Sequence, residues 1–219
     1  SFTIALDGPK EMARMASQVE KFPIIKVKLG CDDLDMDRLS RIRAARPDAR
    51  LWVDANGGWT LDEALRYLAD LEANKIEMLE QPLDKEDLDG MGKLQSVTKI
   101  HIIADESVQT MKNIEALAAV GVTGVNIKLM KVGGLAPALE MIRRALQLEM
   151  KVMLGCMIET AIGTTAMAHL SGYAEWVDLD ASALITNDPF KGMTLDDRCT
   201  VQIPKREGIG VSIKSERDT

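Results

Sequence analysis

A charged residue closes a short apolar run five times in this chain, at nearly even steps. The segments are IIKVKLG, LWVDANG, EMLEQP, IIADES and VNIKLM, and the charged residues are Lys28, Asp54, Glu80, Asp105 and Lys128. The steps between them are 26, 26, 25 and 23 residues. One strand, one helix and two loops take about 25 residues. The spacing therefore predicts repeated β/α units, each with its charge at the carboxyl end of a strand.

Eight runs are predicted as strands, and most are apolar on both faces, as parallel strands covered by helices are. These strands are residues 2–6, 24–29, 51–53, 76–79, 100–104, 124–127, 152–154 and 176–179. Helical spacing of apolar residues predicts seven helices between them. These helices are residues 9–20, 34–45, 61–71, 84–96, 113–119, 135–148 and 160–171. Thr60 and Glu63 form a capping box before the third helix.

This alternation predicts an α/β protein with a TIM-type (β/α) barrel over residues 1–187. The rival fold is a doubly wound open sheet. The rival is disfavoured because no glycine-rich dinucleotide motif follows the first strand and because the charges recur at strand after strand. Residues 188–219 break the rhythm with prolines, glycines and short β-like pieces at 200–203 and 209–213. We expect this tail to cover the barrel or to join another domain.

Composition narrows the classes of function. The net charge of −7 argues against non-specific nucleic-acid binding, and no apolar run is long enough for a membrane span. Three cysteines without a CxxC pair favour a reducing, cytoplasmic compartment. The chain opens with SFTIALD and no initiator methionine, which predicts a fragment lacking an N-terminal part. Homo-oligomerisation stays open.

The three acids are candidate metal ligands. Asp54, Glu80 and Asp105 follow successive strands, so their side chains should converge at the mouth of a barrel. Three hard oxygen donors without histidine or cysteine suit Mg²⁺. A single acid in such a place is often only a cap or a turn residue. Three in register favour the metal site. Asn56, Gln81 and Glu106 follow the acids and could support them, although each is also an ordinary loop residue.

Lysines flank the acids on both sides. Lys28 and Lys128 are candidate acid/base residues, because a neighbouring cation disfavours the ammonium form and lowers a lysine's pKa. Lys26 shares a strand face with Lys28 and could bind a substrate carboxylate or lower the pKa of Lys28. Taken alone, Lys26 is equally typical of a lysine whose stem packs while its ammonium reaches water.

A second acidic pair follows the eighth predicted strand. Asp178 and Asp180 share a strand face, and their mutual repulsion calls for a cation between them. A substrate ammonium is favoured over a second metal, and two solvated turn acids remain the alternative. The stretch GCMIETAIG follows the seventh strand, and its Met157 is a candidate pocket residue, with structural packing as the alternative.

The motifs KVK, VDAN, EQP, ADES and NIK, in this order, resemble the enolase superfamily in its muconate-lactonising subgroup. The resemblance implies a modified (β/α)7β barrel with an α+β capping domain whose N-terminal portion is absent here. It implies Mg²⁺ on Asp54, Glu80 and Asp105. It also implies Lys28 and Lys128 as acid/base residues on opposite faces of the substrate α-carbon, with the metal holding an enolate.

The segment VDLDASALI resembles the dipeptide epimerases of that subgroup, in which the Asp178–Asp180 pair would bind the substrate ammonium. This implies an isomerase that inverts the C-terminal residue of an L-Ala-L-Xaa dipeptide, a small-molecule partner, by Mg²⁺-assisted 1,1-proton transfer. Alternatives in the subgroup are o-succinylbenzoate synthase, N-succinylamino acid racemase and cycloisomerase. A non-catalytic metal- or ligand-binding barrel is the alternative from another class.

Overall fold

Eight parallel strands form one sheet whose order in space is the order in the chain. The computed structural model describes residues 1–215. All eight predicted strands are present, with shifts of a few residues at their ends. The strands are β1 (Phe2–Ile4), β2 (Ile24–Lys28), β3 (Arg50–Asp54), β4 (Ile76–Glu80), β5 (His101–Ala104), β6 (Gly124–Ile127), β7 (Lys151–Gly155) and β8 (Trp176–Asp178).

The sheet curls until its first and last strands meet. The backbone amide of Thr3 donates a hydrogen bond to Asp180 Oδ2 at 2.8 Å, and the Ser1 hydroxyl donates to Asp178. A parallel sheet that returns to its first strand is a barrel, and an open doubly wound sheet has no such contact. The predicted α/β barrel is confirmed.

Helices connect the strands and pack on the outside of the sheet. The helices are α1 (Pro9–Gln18), α2 (Asp35–Ala45), α3 (Leu61–Ala73), α4 (Leu88–Ser96), α5 (Met111–Ala119), α6 (Leu129–Val132), α7 (Leu135–Gln147), α8 (Ala161–Ala168) and α9 (Ala181–Leu184). The seven predicted helices correspond to α1–α5, α7 and α8. The four-residue helices α6 and α9 were not predicted, because one turn is too short to show a helical period.

Capping sets two of the helix boundaries. Thr60 and Glu63 form the predicted capping box, with each side chain paired to the other's backbone amide. Helix α4 starts at Leu88, later than the predicted residue 84, because the Asp87 side chain accepts a hydrogen bond from the Gly90 amide. The predicted start was wrong because the preceding residues form a turn, in which Asp84 Oδ1 accepts from the Glu86 amide at 2.9 Å.

The core has two parts, one on each face of the sheet. Outward-facing residues such as Leu51 and Val53 pack under the helices. Inward-facing residues fill the barrel interior, and they are Trp52, Met78, Ile103, Met153 and Trp176. Because side chains alternate along a strand, a residue two places after an inward one also points inward. Four acids lie two places after an interior residue, so their side chains point into the mouth of the barrel: Asp54, Glu80, Asp105 and Asp178.

The tail packs against the end of the barrel. It holds two small antiparallel pairs, β9 (Phe190–Lys191) with β12 (Ser212–Ile213), and β10 (Thr194–Leu195) with β11 (Val201–Gln202). The Met193 amide donates to Thr165 Oγ1 at 2.8 Å, which ties the tail to α8. Residues 216–219 of the predicted tail lie outside the described residues.

Across residues 1–215, no helix combines the length and apolar character that a membrane span requires.

Candidate functional site

The three predicted metal ligands lie together at the carboxyl ends of adjacent strands. Asp54 and Glu80 are register partners at the ends of β3 and β4, and Asp105 directly follows β5. All three are buried. The even steps in the sequence therefore correspond to side chains that share one small volume. Buried carboxylates need cationic or hydrogen-bonding partners, and lysines supply them here.

Lys26 is the most deeply paired of these lysines. Its ammonium lies 3.1 Å from Asp54 Oδ2, 2.7 Å from Glu80 Oε2 and 2.9 Å from Asp178 Oδ2. The interpretation that its ammonium reaches water is wrong, because β2 points Lys26 into the barrel. Burial lowers its pKa, but the carboxylates of Asp178, Glu80 and Asp54 outweigh burial and hold the pKa well above its usual range.

Lys28 is the more accessible of the two predicted acid/base lysines. Its ammonium donates to Asp54 Oδ2 at 2.7 Å and to Asn56 Oδ1 at 2.9 Å, and its side chain is 28% exposed. The amide nitrogen of Asn56 in turn donates to Glu106 Oε1 at 2.9 Å. Lys28 is thus held by the loops after β3 and β5. Asn56 and Glu106 occupy the supporting positions that the sequence allowed.

Lys128 is held on the other side of the acids. Its ammonium donates to Asp105 Oδ2 at 2.6 Å, and its side chain is only 9% exposed. Burial lowers the pKa of Lys128, but the carboxylates of Asp105 and Glu80 raise it more, so the net shift is upward. The lowering expected beside a metal cation stays a prediction, because in this arrangement the direct partner of Lys128 is an acid.

Glu80 is an acid of the cluster whose ionised form the surroundings disfavour. Burial, first, and the carboxylates of Asp54 and Asp105 raise the pKa of Glu80 to about 8, against the opposing effect of Lys26. Its Oε2 is buried without a hydrogen bond, although Lys26 Nζ lies within ion-pair distance. A carboxylate in such surroundings is stabilised by a further cation.

The donor set fits a divalent cation such as Mg²⁺. Within residues 1–215, no group of three acidic, histidine or cysteine side chains stands in a ready-made ligand geometry. The Lys26 ammonium lies among the acids, 3.1 Å from Asp54 Oδ2 and 2.7 Å from Glu80 Oε2. The oxygens of the three acids are the hard donors that Mg²⁺ takes. Glu80 Oε2 is buried without a hydrogen bond, and a divalent cation would offset the burial and like charges that raise the Glu80 pKa. Asp54, Glu80 and Asp105 are the residues that could hold it.

Gln81 links the loops that follow β4 and β5. Its Oε1 accepts from the Asp105 amide at 2.8 Å and from the Ser107 amide at 3.2 Å. Its Nε2 donates to Leu83 O and to Ser107 Oγ, each at 2.9 Å. The fully buried side chain thus fixes the backbone of Asp105, which is the supporting place anticipated from the sequence.

Two further polar residues of the site were missed by sequence reasoning. Asn126 is fully buried, and its Nδ2 donates to Glu80 Oε1 at 2.7 Å. Lys131 forms an ion pair with Asp105. Asn126 had a readable signal, because it lies two residues before Lys128 on the same strand face. Lys131 had none, because it belongs to the unpredicted helix α6.

The acidic pair of the eighth strand is also buried at the mouth. Asp178 Oδ2 lies 2.9 Å from Lys26 Nζ. Burial opposes ionisation of Asp178, but it is outweighed, chiefly by the Lys26 ammonium, and the pKa is lowered to about 2. Asp180 accepts from the Thr3 amide, and burial and the neighbouring Asp178 raise its pKa. Asp178 therefore has a cationic partner, while Asp180 is held by a neutral amide.

Met157 lies just beyond β7, on the side of the barrel where the acids and lysines collect. Its side chain is 39% exposed, and its backbone amide donates to Glu159 Oε1 at 3.2 Å. The structure therefore brings Met157 to the rim of the mouth rather than into the charged cluster, and its predicted contact with substrate stays a prediction.

An eight-stranded parallel barrel with buried acids and lysines at the carboxyl ends of its strands defines the class of this protein. Within that class, the chain belongs to the enolase C-terminal domain-like family, whose model matches residues 10–217. The resemblance drawn from the five motifs is thereby confirmed.

Similar proteins carry related names. The chain is 38% identical to an L-Ala-D/L-Glu epimerase of Bacteroides thetaiotaomicron, with 96% of this chain and 55% of that protein aligned. It is 35% identical to an L-Ala-D/L-amino acid epimerase of a Maribacter species, over 94% of this chain and 61% of the relative. The chain thus spans about three-fifths of the length of these curated relatives.

A solved structure with a bound dipeptide has the same fold. The dipeptide epimerase of Cytophaga hutchinsonii, complexed with Mg and the dipeptide D-Ala-L-Val, superposes with a TM-score of 0.93 at 32% identity. The match covers 99% of this chain and 61% of that one.

Proposed function

We propose that this chain is the catalytic barrel of a dipeptide epimerase that inverts the α-carbon of the C-terminal residue of an L-Ala-L-Xaa dipeptide. The observation that carries the proposal is the arrangement of two lysines around the acids. Lys28 is paired with Asp54 and Lys128 with Asp105, so Glu80 of the intervening strand lies between two separate lysine–acid pairs. The names of the aligned epimerases support it.

The metal site would be formed by Asp54, Glu80 and Asp105, whose carboxylate oxygens suit Mg²⁺. When bound there, Mg²⁺ supplies Lewis-acid stabilisation to a substrate carboxylate whose α-proton is removed. Asn126 and Gln81 orient these ligands through their hydrogen bonds to Glu80 Oε1 and to the Asp105 amide.

The lysines exchange the proton. Lys28 comes from β2 and Lys128 from the end of β6, with three strands between them, so they address a bound α-carbon from two sides. The neutral lysine takes the α-proton onto its Nζ, and the other lysine, as an ammonium, gives a proton to the opposite face. Removal and delivery at opposite faces invert the carbon.

The acidic pair would bind the other end of the dipeptide. Among the described residues, Asp180 takes part in no ion pair of its own, and burial and the neighbouring Asp178 raise its pKa. A substrate ammonium would supply the charge. Lys26 joins Asp178 to the metal acids and fixes the spacing between the two ends of the substrate. Met157 would line the pocket at the rim.

We further propose a division into the catalytic barrel, residues 1–187, and a tail, residues 188–219, that covers it or joins another domain. A reducing, cytoplasmic location is consistent with three cysteines that form no disulfide.

The test is proton exchange. Full-length protein is incubated in D₂O with L-Ala-L-Glu, L-Ala-L-Leu or L-Ala-L-Lys, with Mg²⁺ or with a chelator, and the α-protons are followed by NMR. We expect Mg²⁺-dependent deuterium at the α-carbon of the C-terminal residue, with the epimer appearing. Turnover of N-succinylamino acids without exchange in any dipeptide would make the protein a racemase of the alternative type.

A further inference from the structure

Lys131 reaches from α6 back to the ends of two barrel strands. Its ammonium forms an ion pair with Asp105 Oδ1 and donates to the backbone carbonyls of Asp105 at 2.6 Å and Asn126 at 3.1 Å. The side chain is only 10% exposed. A buried ammonium is stable only with such partners, so this lysine is fixed in place.

The two carbonyls belong to strands that separate at this point. Strands β5 and β6 are joined by two register pairs, Ile103 with Gly124 and Ala104 with Val125. Asp105 and Asn126 are the next residues on each strand, and no ladder pair joins them. The Lys131 ammonium hydrogen-bonds to both carbonyls and so bridges the strands just beyond their last pair.

Because of this ion pair, the two oxygens of the Asp105 carboxylate have different lysine partners. Oδ1 is paired with Lys131, and Oδ2 is 2.6 Å from Lys128 Nζ. The Lys131 ammonium binds both Oδ1 and the backbone carbonyl of Asp105, so the carboxylate cannot rotate freely. The direction of Oδ2 is therefore fixed. Without Lys131, both oxygens of Asp105 would be available to Lys128, and the Lys128 ammonium would lose its single position.

We propose that Lys131 is a positioning residue for Lys128, acting through Asp105. The inference rests on the proposed epimerase function. It predicts a one-sided effect, because Lys28 is held by Asp54 and Asn56 and has no contact with Lys131 among the bonds of the described residues. Displacement of a reacting group by about 1 Å lowers a rate by about 100-fold.

The experiment measures α-proton exchange separately for the two epimers of the dipeptide that the wild type exchanges fastest. Each epimer presents its α-proton to one lysine, and Lys128→Ala identifies the epimer that depends on Lys128. In the full-length protein at saturating Mg²⁺, so that a weaker hold of Asp105 on the metal does not enter the rate, Lys131→Met is expected to slow that epimer about 100-fold, and the other epimer several-fold at most.

Two further variants sharpen the comparison. Lys131→Arg keeps the positive charge, but a planar guanidinium cannot reproduce the three hydrogen bonds of one ammonium. We therefore expect a smaller loss of the exchange rate, again for the epimer that depends on Lys128. Lys112→Met removes an exposed lysine of α5 and should exchange both epimers at the wild-type rate. If Lys131→Met does not fold, Lys131→Arg decides by the same one-sided criterion.

Equal slowing of both epimers, or no slowing, overturns the positioning role. Absence of exchange in the wild type with every dipeptide would be a failure of the proposed function instead. In that case a crystal structure of Lys131→Met decides: a shifted Asp105 carboxylate and Lys128 ammonium support the inference, and unchanged positions refute it.

Discussion

At the scale of single residues, the two lysines of the site differ although both are paired with an acid. Lys28 is partly exposed and shares its ammonium between Asp54 and the neutral Asn56. Lys128 is buried, and its partner Asp105 is shared with Lys131. In the proposed epimerase, the two faces of a bound α-carbon would thus meet one partly exposed lysine and one buried lysine. We expect epimerisation to require both lysines, and we expect substitutions of neighbouring residues to affect the two lysines to different extents.

Removing either lysine should stop epimerisation, because inversion needs one group to take the proton and another to deliver it. For Lys28→Ala and Lys128→Ala, we expect the rate of interconversion to fall at least about 100-fold, as loss of a general acid or base does. Polarimetry or chiral chromatography measures it, with Lys112→Met as the surface control. A variant of either lysine that epimerises normally would refute the two-base assignment.

Asp180 should matter for the dipeptide and little for the metal. In Asp180→Asn, we expect KM for the dipeptide to rise about 10- to 100-fold, because a charge-assisted hydrogen bond to the substrate ammonium is lost. Mg²⁺ affinity, measured by calorimetry, should change little. The reverse pattern, in which metal affinity falls and KM holds, would make Asp180 a metal ligand.

At the scale of elements, β6 and β7 pack so closely at the mouth that a side chain in place of Gly155 would displace its neighbours. A Cβ on Gly155 would lie 2.7 Å from Asn126 Oδ1 and 2.9 Å from Lys128 Cε. Both neighbours belong to the site, and the Asn126 amide is bonded to Glu80. The last residue of β7 therefore makes room for the side chains that β6 directs inward.

Gly155→Ala should therefore impair catalysis while the barrel still folds. We expect kcat to fall about 100-fold as Lys128 and Asn126 shift, with little change in the circular dichroism spectrum. Gly172→Ala is the matched control, because a Cβ there has nothing within 4 Å. Equal activity of the two variants would show that the mouth accommodates the methyl group.

At the scale of the whole molecule, the stability of the barrel depends on charge balance at its mouth. Glu80 has a pKa of about 8 when folded and its ordinary value of 4.5 as reference. The folded state thus holds a proton that the unfolded state releases. The stabilisation is complete below pH 4.5 and is lost as the pH rises through about 8. The pKa of Asp105 is lowered, so its effect on stability falls at more acidic pH. It does not offset the loss of stability from Glu80 between pH 4.5 and 8.

Without Mg²⁺, the free energy of unfolding should therefore decrease between pH 5 and 8, with a slope of up to about 1.4 kcal/mol per pH unit from Glu80. Glu80→Gln should lack this component. Added Mg²⁺ should raise the unfolding midpoint of the wild type more at pH 8 than at pH 5, since the metal binds the ionised acids. Urea unfolding at several pH values measures both, and identical pH profiles for wild type and variant would contradict the assignment.

The sequence by itself determined the barrel, the strand order and the place of the three acids and of Lys28 and Lys128. These follow from local rules, because successive side chains of a strand point to opposite faces, and the even step between charged residues indicates where each strand ends. Only the tertiary structure decided that Lys26 is buried among Asp54, Glu80 and Asp178, and that Lys131 shares Asp105 with Lys128. Such pairings join residues from distant parts of the chain, and they depend on how the barrel closes and how tightly its side chains pack.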